Sequence, residues 1–217
     1  MTFDKEVDGV DFSLNTQLLA FTASDNLVRL LNIQTGAIEE LSGHSGEVVT
    51  VAFSPRGDLL VSGSADDTIK IWNVQTKEVI RELKDCDNEF ALSPDGKMLA
   101  VSSKQPGTVK LFDIDTGELL RTLTWSVVDK YEVRRISFLG NSKFLAVGGG
   151  QDFDKPGEIR IYDTETGNMK HLLTGHQGLV TDLAISLQEP VLVSSGVVVK
   201  DRNTVYGEVK VWSVSNL

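Results

Sequence analysis

Five segments of the chain alternate apolar and polar positions at period two: "NLVRLLNIQTG", "DTIKIWNVQTK", "GTVKLFDIDTG", "GEIRIYDTETG" and "GEVKVWSVSNL". Each carries a β-branched or aliphatic residue, a basic one, an aliphatic one and a large one. The first four then have Asn or Asp. The basic position is Arg29, Lys70, Lys110, Arg160 and Lys210, and the large position is Leu31, Trp72, Phe112, Tyr162 and Trp212. Period two predicts a strand for each segment. The basic and large residues lie two apart and therefore share a face. On that face the Lys or Arg stem is expected to cover apolar surface while its charge reaches water.

The neighbouring stretches repeat as well. Upstream of each segment comes an apolar run, such as "LLVSGSA" or "FLAVGGG", and before it another, such as "VAFSPRGD" or "ISFLGNSK". The "SPRG" and "SPDG" pieces are turn chemistry. After the first four segments comes "TG" or "TK", then a short strand such as "ELLRTL". Gly36, Gly117 and Gly167 suit the left-handed position closing such a hairpin, and Lys77 departs from it at a small cost. Each unit thus predicts four short antiparallel strands, a to d. Four strands per 40–50 residues is the signature of a β-propeller blade. The units run approximately over 7–42, 43–84, 85–124, 125–174 and 175–217.

The order of these motifs resembles the WD-repeat family over residues 7 to 217. Gly43-His44 opens the second unit and Trp72-Asn73 closes its strand c, although the Trp-Asp dipeptide itself is absent. The resemblance implies an all-β fold, a β-propeller of four-stranded antiparallel blades. About five blades are present, the last without its d strand, and they form part of a larger, seven-bladed ring. A closed five-bladed ring is the alternative. The resemblance also implies a hydrogen-bonded tetrad, which falls on His44, Ser62, Asp66 and Trp72. A second, partial set falls on His176, Ser194 and Trp212, with Asp201 as candidate fourth member. The third unit offers Ser102 but no His, and has Pro106 where the Asp belongs. The first unit has Phe21 and the fourth Gly148 at the hydroxyl position.

Two of the three histidines, His44 and His176, sit in matching loops, "SGHSG" and "TGHQG". A histidine used twice at repeat-locked positions points to structure rather than catalysis. The third, His171, is expected on a d strand facing solvent. "DFDKPGE" echoes the start of a calcium loop, but Pro156 stands where an oxygen ligand belongs and a strand follows. No catalytic, cofactor or metal site is expected.

Composition narrows the partners. A net charge of −10 argues against nucleic acid, whose binding needs clustered Lys and Arg. No run is long and apolar enough to suggest a membrane span, and "MTFDKEVDGVDF" has no apolar leader core. One cysteine, Cys86, fits a reducing compartment, so the cytoplasm is expected. The enlarged loops "LTWSVVDKYEV", "GQDFDKPGE" and "GVVVKDRNTVYGE" are expected on one face, presenting Trp125, Tyr131, Phe153 and Tyr206 as partner-binding anchors. The function expected is a non-catalytic protein–protein interaction scaffold, with a second chain able to complete the propeller. The alternatives are a sensor or regulatory propeller domain cut from a larger protein, and a propeller-framed enzyme.

Overall fold

In the computed structural model every segment of period-two alternation is a strand. It describes residues 6–125, 131–140, 142–186, 189–201 and 204–215. The chain divides into two compact units, Met1–Asn88 and Glu89–Leu217. No helix occurs among the described residues.

In the first unit, β1 (Val7–Phe12), β2 (Leu18–Ala23), β3 (Leu27–Asn32) and β4 (Ile38–Ser42) form one sheet in chain order. The second blade is built likewise from β5 (Val48–Phe53), β6 (Leu59–Ser64), β7 (Thr68–Asn73) and β8 (Val79–Lys84). The third blade comprises β9 (Cys86–Leu92), β10 (Met98–Ser103), β11 (Thr108–Asp113) and β12 (Leu119–Thr124). The fourth comprises β13 (Glu132–Phe138), β14 (Phe144–Gly150), β15 (Glu158–Asp163) and β16 (Met169–Thr174). The fifth has three strands among the described residues, β17 (Leu179–Ile185), β18 (Val191–Asp201) and β19 (Thr204–Ser213). All neighbouring strands pair antiparallel. The fold class is all-β, made of β-propeller blades.

Register fixes which residue faces which. The basic residue of strand c lies opposite Phe21, Ser62, Val101, Val147 and Ser194 in turn. This corrects two expectations. Ser102 pairs with Val109, and Gly148 with Ile159, each one residue beyond the hydroxyl position. A one-residue offset turns a side chain to the other face of the sheet. Ser102 accordingly donates to the Glu89 carbonyl at 3.0 Å.

The Asn or Asp after the large residue closes the c–d turn. Oδ1 of Asn32, Asn73, Asp113 and Asp163 accepts the N–H of Thr35, Thr76, Thr116 and Thr166 at 2.7–3.0 Å. The residue that follows is left-handed in all four, at φ 73° for Gly36, 75° for Gly117 and Gly167, and 64° for Lys77. Either Asn or Asp can accept this bond, so the second blade does without an aspartate there.

Within each unit, strand a of one blade covers the b and c strands of the blade before it. Ala20, Val28 and Leu30 meet Val51 and Phe53. Ala100, Val109 and Leu111 meet Ile136 and Phe138. Ala146, Ile159 and Ile161 meet Val180 and Leu183. The basic residues differ from expectation in the first two blades. Arg29 and Lys70 are buried rather than solvated. Arg29 grips both oxygens of Asp25 and one of Glu40, and Lys70 pairs with Glu82. A charge held at that depth needs a carboxylate partner, which the d strand supplies from directly across.

Candidate functional site

His44 lies in the loop before β5, Ser62 on β6, Asp66 in the b–c turn and Trp72 on β7. Trp72 Nε1 donates to Ser62 Oγ at 2.8 Å. The indole N–H can only donate, so the Ser62 proton is free to go to His44 Nε2, also 2.8 Å away. His44 therefore carries its proton on Nδ1 and donates it to Asp66 Oδ2 at 3.0 Å. Asp66 also accepts the Ser45 N–H at 2.8 Å and the Thr68 N–H and hydroxyl at 3.1 and 2.6 Å. Burial pushes the His44 pKa below 6.5 and outweighs the pull of Asp66. Burial pushes the Asp66 carboxyl up, but the Thr68 hydroxyl, the Ser45 N–H and His44 overcome this and hold it far below the usual carboxylate range. The set is a neutral imidazole beside an ionised carboxylate, each polar atom paired. The Ser62 side chain is wholly buried, so no substrate can reach its hydroxyl.

The fifth blade repeats three members. Trp212 Nε1 donates to Ser194 Oγ at 2.7 Å, and Ser194 Oγ lies 2.6 Å from His176 Nε2. The carboxylate beside His176 is that of Glu208; the side chain of Asp201 lies outside the described residues. Asp201 ends β18, while Glu208 lies on β19, four residues before Trp212. Its Oε1 lies 2.9 Å from His176 Nδ1 and accepts the N–H of Gln177 at 2.7 Å and of Gly178 at 3.4 Å. The approach to Nδ1 is off the ring N–H direction, so it is a close polar contact rather than an aligned hydrogen bond. Burial raises the Glu208 carboxyl, but His176 and the two N–H groups outweigh it and hold the pKa below 4.5. A sequence signal existed. Glu208, Lys210 and Trp212 share one face by period two, and a Glu is long enough to reach from strand c where Thr68 stands in the second blade. A Cβ at Gly196 would sit 2.7 Å from His176 Nδ1, so glycine is needed there.

The other blades fill the same place differently. In the first, Asp25 in the b–c turn pairs with Arg29, which takes the carboxylate a histidine would take. In the fourth, Trp125 and Tyr131 stack at 4.5 Å between ring centres, with the Arg160 guanidinium 4.5 Å over the indole. They were expected as exposed anchors, and this is a correction. Trp125 is 2% and Tyr131 8% exposed, and both join the core with Val147 and Tyr162. The cause is backbone: Trp125 N–H donates to the Gly107 carbonyl at 2.6 Å, which turns the side chain inward over strand c. Residues 126–130 of that loop lie outside the described residues.

Phe153 and Tyr206 are exposed, at 45% and 40%. The stretch carrying Tyr206 is not a loop, since β18 and β19 run on as a hairpin in which Val198 faces Tyr206. The Phe153 loop is tied to it, because Val199 N–H donates to the Phe153 carbonyl at 3.1 Å. Gly157 N–H donates to the Gly178 carbonyl at 2.9 Å, and Tyr206 Oη donates to Gln177 Oε1 at 2.9 Å. Thus the structure brings Phe153 and Tyr206 to one end of the fourth and fifth blades. His171 is exposed on β16, and Asp152 of the calcium-like loop pairs with Lys155 at 3.0 Å. No group of His, Cys, Asp and Glu that could hold a metal occurs among the described residues.

Comparison with known proteins agrees with this geometry. Residues 36–73 match the family model described as WD domain, G-beta repeat. COMPASS component SWD3 of Saccharomyces cerevisiae is 27% identical over 161 residues, covering 70% of this chain and 49% of that protein. Eukaryotic translation initiation factor 3 subunit I of Aspergillus fumigatus is 30% identical over 195 residues, covering 80% of this chain and 54% of that protein. The chain spans about half the length of these curated relatives. A solved chain of Kuenenia stuttgartiensis hydrazine synthase superposes at a TM-score of 0.84 with 16% identity, over 100% of this chain and 65% of that one. That likeness concerns the fold alone. In its repeat, its blade register and its buried tetrad, the chain resembles the WD-repeat β-propeller family.

Proposed function

We propose that the chain is a non-catalytic protein-interaction scaffold that binds partners through the loop face of its fourth and fifth blades. One observation carries this reading: the Phe153 loop and the Tyr206 hairpin are hydrogen-bonded to each other while both aromatics stay exposed. Aromatic anchors on a rigid platform suit protein recognition. The relatives named above as a COMPASS component and an initiation-factor subunit are themselves parts of complexes by name, which supports protein partners here. The burial of Ser62 and Ser194 supports a structural role for both His–Ser sets over a catalytic one. The net charge of −10 supports protein over nucleic acid, and no helix among the described residues is long and apolar enough to cross a membrane. We place the scaffold in the cytoplasm and count among its partners a second chain that completes the propeller. A photo-crosslinker at position 153 should capture a partner that one at Glu118, in a c–d turn at the other end of its sheet, does not. The Phe153→Ala/Tyr206→Ala variant should lose that partner with its thermal stability unchanged. Equal capture from both positions would sink the reading.

A further inference from the structure

Three segments meet at the loop face of the fourth and fifth blades: the 151–157 loop of the fourth, and the 176–178 loop and the β18–β19 hairpin of the fifth. Each is tied to the other two. Val199 N–H joins the hairpin to the Phe153 carbonyl, and Gly157 N–H joins the 151–157 loop to the Gly178 carbonyl. From the hairpin, Glu208 Oε1 accepts the N–H of Gln177 and Gly178, and the Tyr206 hydroxyl donates to the Gln177 side chain. Gly178 sits where all three cross. A Cβ there would clash with the Val197 carbonyl and lie 2.8 Å from Val198 Cα and 2.9 Å from the Phe153 carbonyl oxygen.

The second blade uses the same positions differently. Val48 pairs with Ser64 and Val180 with Gly196, so Gly46 and Gly178, each two residues earlier, correspond. The Ser64 hydroxyl donates to the Gly46 carbonyl at 3.0 Å, which closes that loop within its own blade. Gly196 has no hydroxyl, and the Gly178 carbonyl accepts instead from Gly157 of the blade before. Asp66 reaches His44 from the b–c turn and keeps that turn tight; Glu208 reaches His176 from strand c, and the b–c connection runs on as the hairpin that carries Tyr206. We infer that Gly178 is the joint, and Glu208 the positioning residue, that lock these three segments into one preformed protein-binding platform. The inference rests on the loop-face reading of the proposed function and names what holds that face in shape. A surface ordered before binding loses less conformational entropy when a partner arrives.

Residue-resolved amide hydrogen exchange on the whole chain tests this without any partner. In wild type Gly157, Gln177, Gly178 and Val199 should be protected together. Gly178→Ala should speed exchange at Gly157 and Val199 by about tenfold or more, while the amides of β14 and β15 keep their rates. Gly157→Ala, whose Cβ would lie 2.6 Å from the Gly178 carbonyl oxygen, attacks the same joint from the fourth blade and stands in should the first variant fail to fold. Glu208→Ala should release Gln177, Gly178 and Gly157 in the same way. Glu208→Gln keeps an oxygen for both N–H groups and should restore their protection. A carboxylate that only stabilised the blade would instead speed every amide of β17, β18 and β19 alike. Capture by the crosslinker at position 153 should fall about tenfold in Gly178→Ala, although both aromatics remain. Because exchange is read without a partner, a face that binds nothing and a face that is not locked give different results. Wild-type rates at Gly157 and Val199 in both glycine variants, even acceleration across the fifth blade in Glu208→Ala, or full capture by an unlocked face would overturn the inference.

Discussion

The second and fifth blades solve one problem with different carboxylates. Both bury a histidine and a serine beside a strand-c tryptophan. In the second blade the carboxylate comes from the turn, through Asp66, and every ring nitrogen is well paired. In the fifth it comes from the strand, through Glu208, and the ring contact is off-axis. The second blade also has strand d over its tryptophan, which is 1% exposed; Trp212 is only half-buried. Loops around the two sets differ accordingly: a tight turn in one, an extended hairpin in the other. What the difference teaches is that the His–Ser–Trp core is a fixed local device, while its anion is whatever the adjoining backbone can deliver.

The comparison is broken most directly at the tryptophans. Trp72→Ala should destabilise the chain by about 4 kcal/mol in urea unfolding, and Trp212→Ala by roughly half that, because its ring is only half-buried. Equal losses would show that Trp212 packs as tightly as Trp72. Next come the hydroxyls. Ser62→Ala strands the Trp72 N–H and the His44 nitrogen in a dry site and should cost about 3 kcal/mol, with Ser194→Ala costing about 2 kcal/mol, since His176 is equally buried but Trp212 only half-buried.

A gentler probe is pH. His44 has a folded pKa below 6.5, so as pH falls through 6.5 the unfolded chain takes up a proton that the folded chain refuses. Stability is therefore highest above 6.5 and declines toward acid. Asp66 and Glu208, also depressed, add a further loss as pH falls through the ordinary carboxylate range. Melting curves from pH 7 to 5 should fall less steeply in His44→Gln than in wild type; parallel curves would mean that His44 takes up its proton alike in the folded and the unfolded chain. The smallest effect concerns the one irregularity of the second blade. Lys77→Gly relieves a left-handed φ of 64° and should raise stability by about 0.5–1 kcal/mol, less any entropy the glycine restores to the unfolded chain. Its surface ion pair with Glu39 is worth little.

Much of this was legible in the chain. Strict alternation, turn residues and the spacing of Leu31, Trp72, Phe112, Tyr162 and Trp212 are local properties, and local properties determine strands and hairpins. His44, Ser62, Asp66 and Trp72 could be aligned because short loops keep the repeat in phase. Glu208 was missed because the expanded b–c hairpin breaks that phase and its carboxylate comes from a strand. Ser102 and Gly148 were misplaced by one residue because sequence similarity does not fix pairing register, and a single step reverses the face.

Trp125 and Tyr131 show the limit most plainly. By sequence they are large residues in a long loop; in the structure they stack under Arg160 and complete a blade that has Val147 in place of a serine. The sequence by itself determined the repeat, the strands, the closing turns and the second blade's tetrad, since each depends on residues near in the chain or in phase with it. Only the tertiary structure decided which aromatics are buried and which carboxylate serves His176, since those follow from what packs against a residue across the fold.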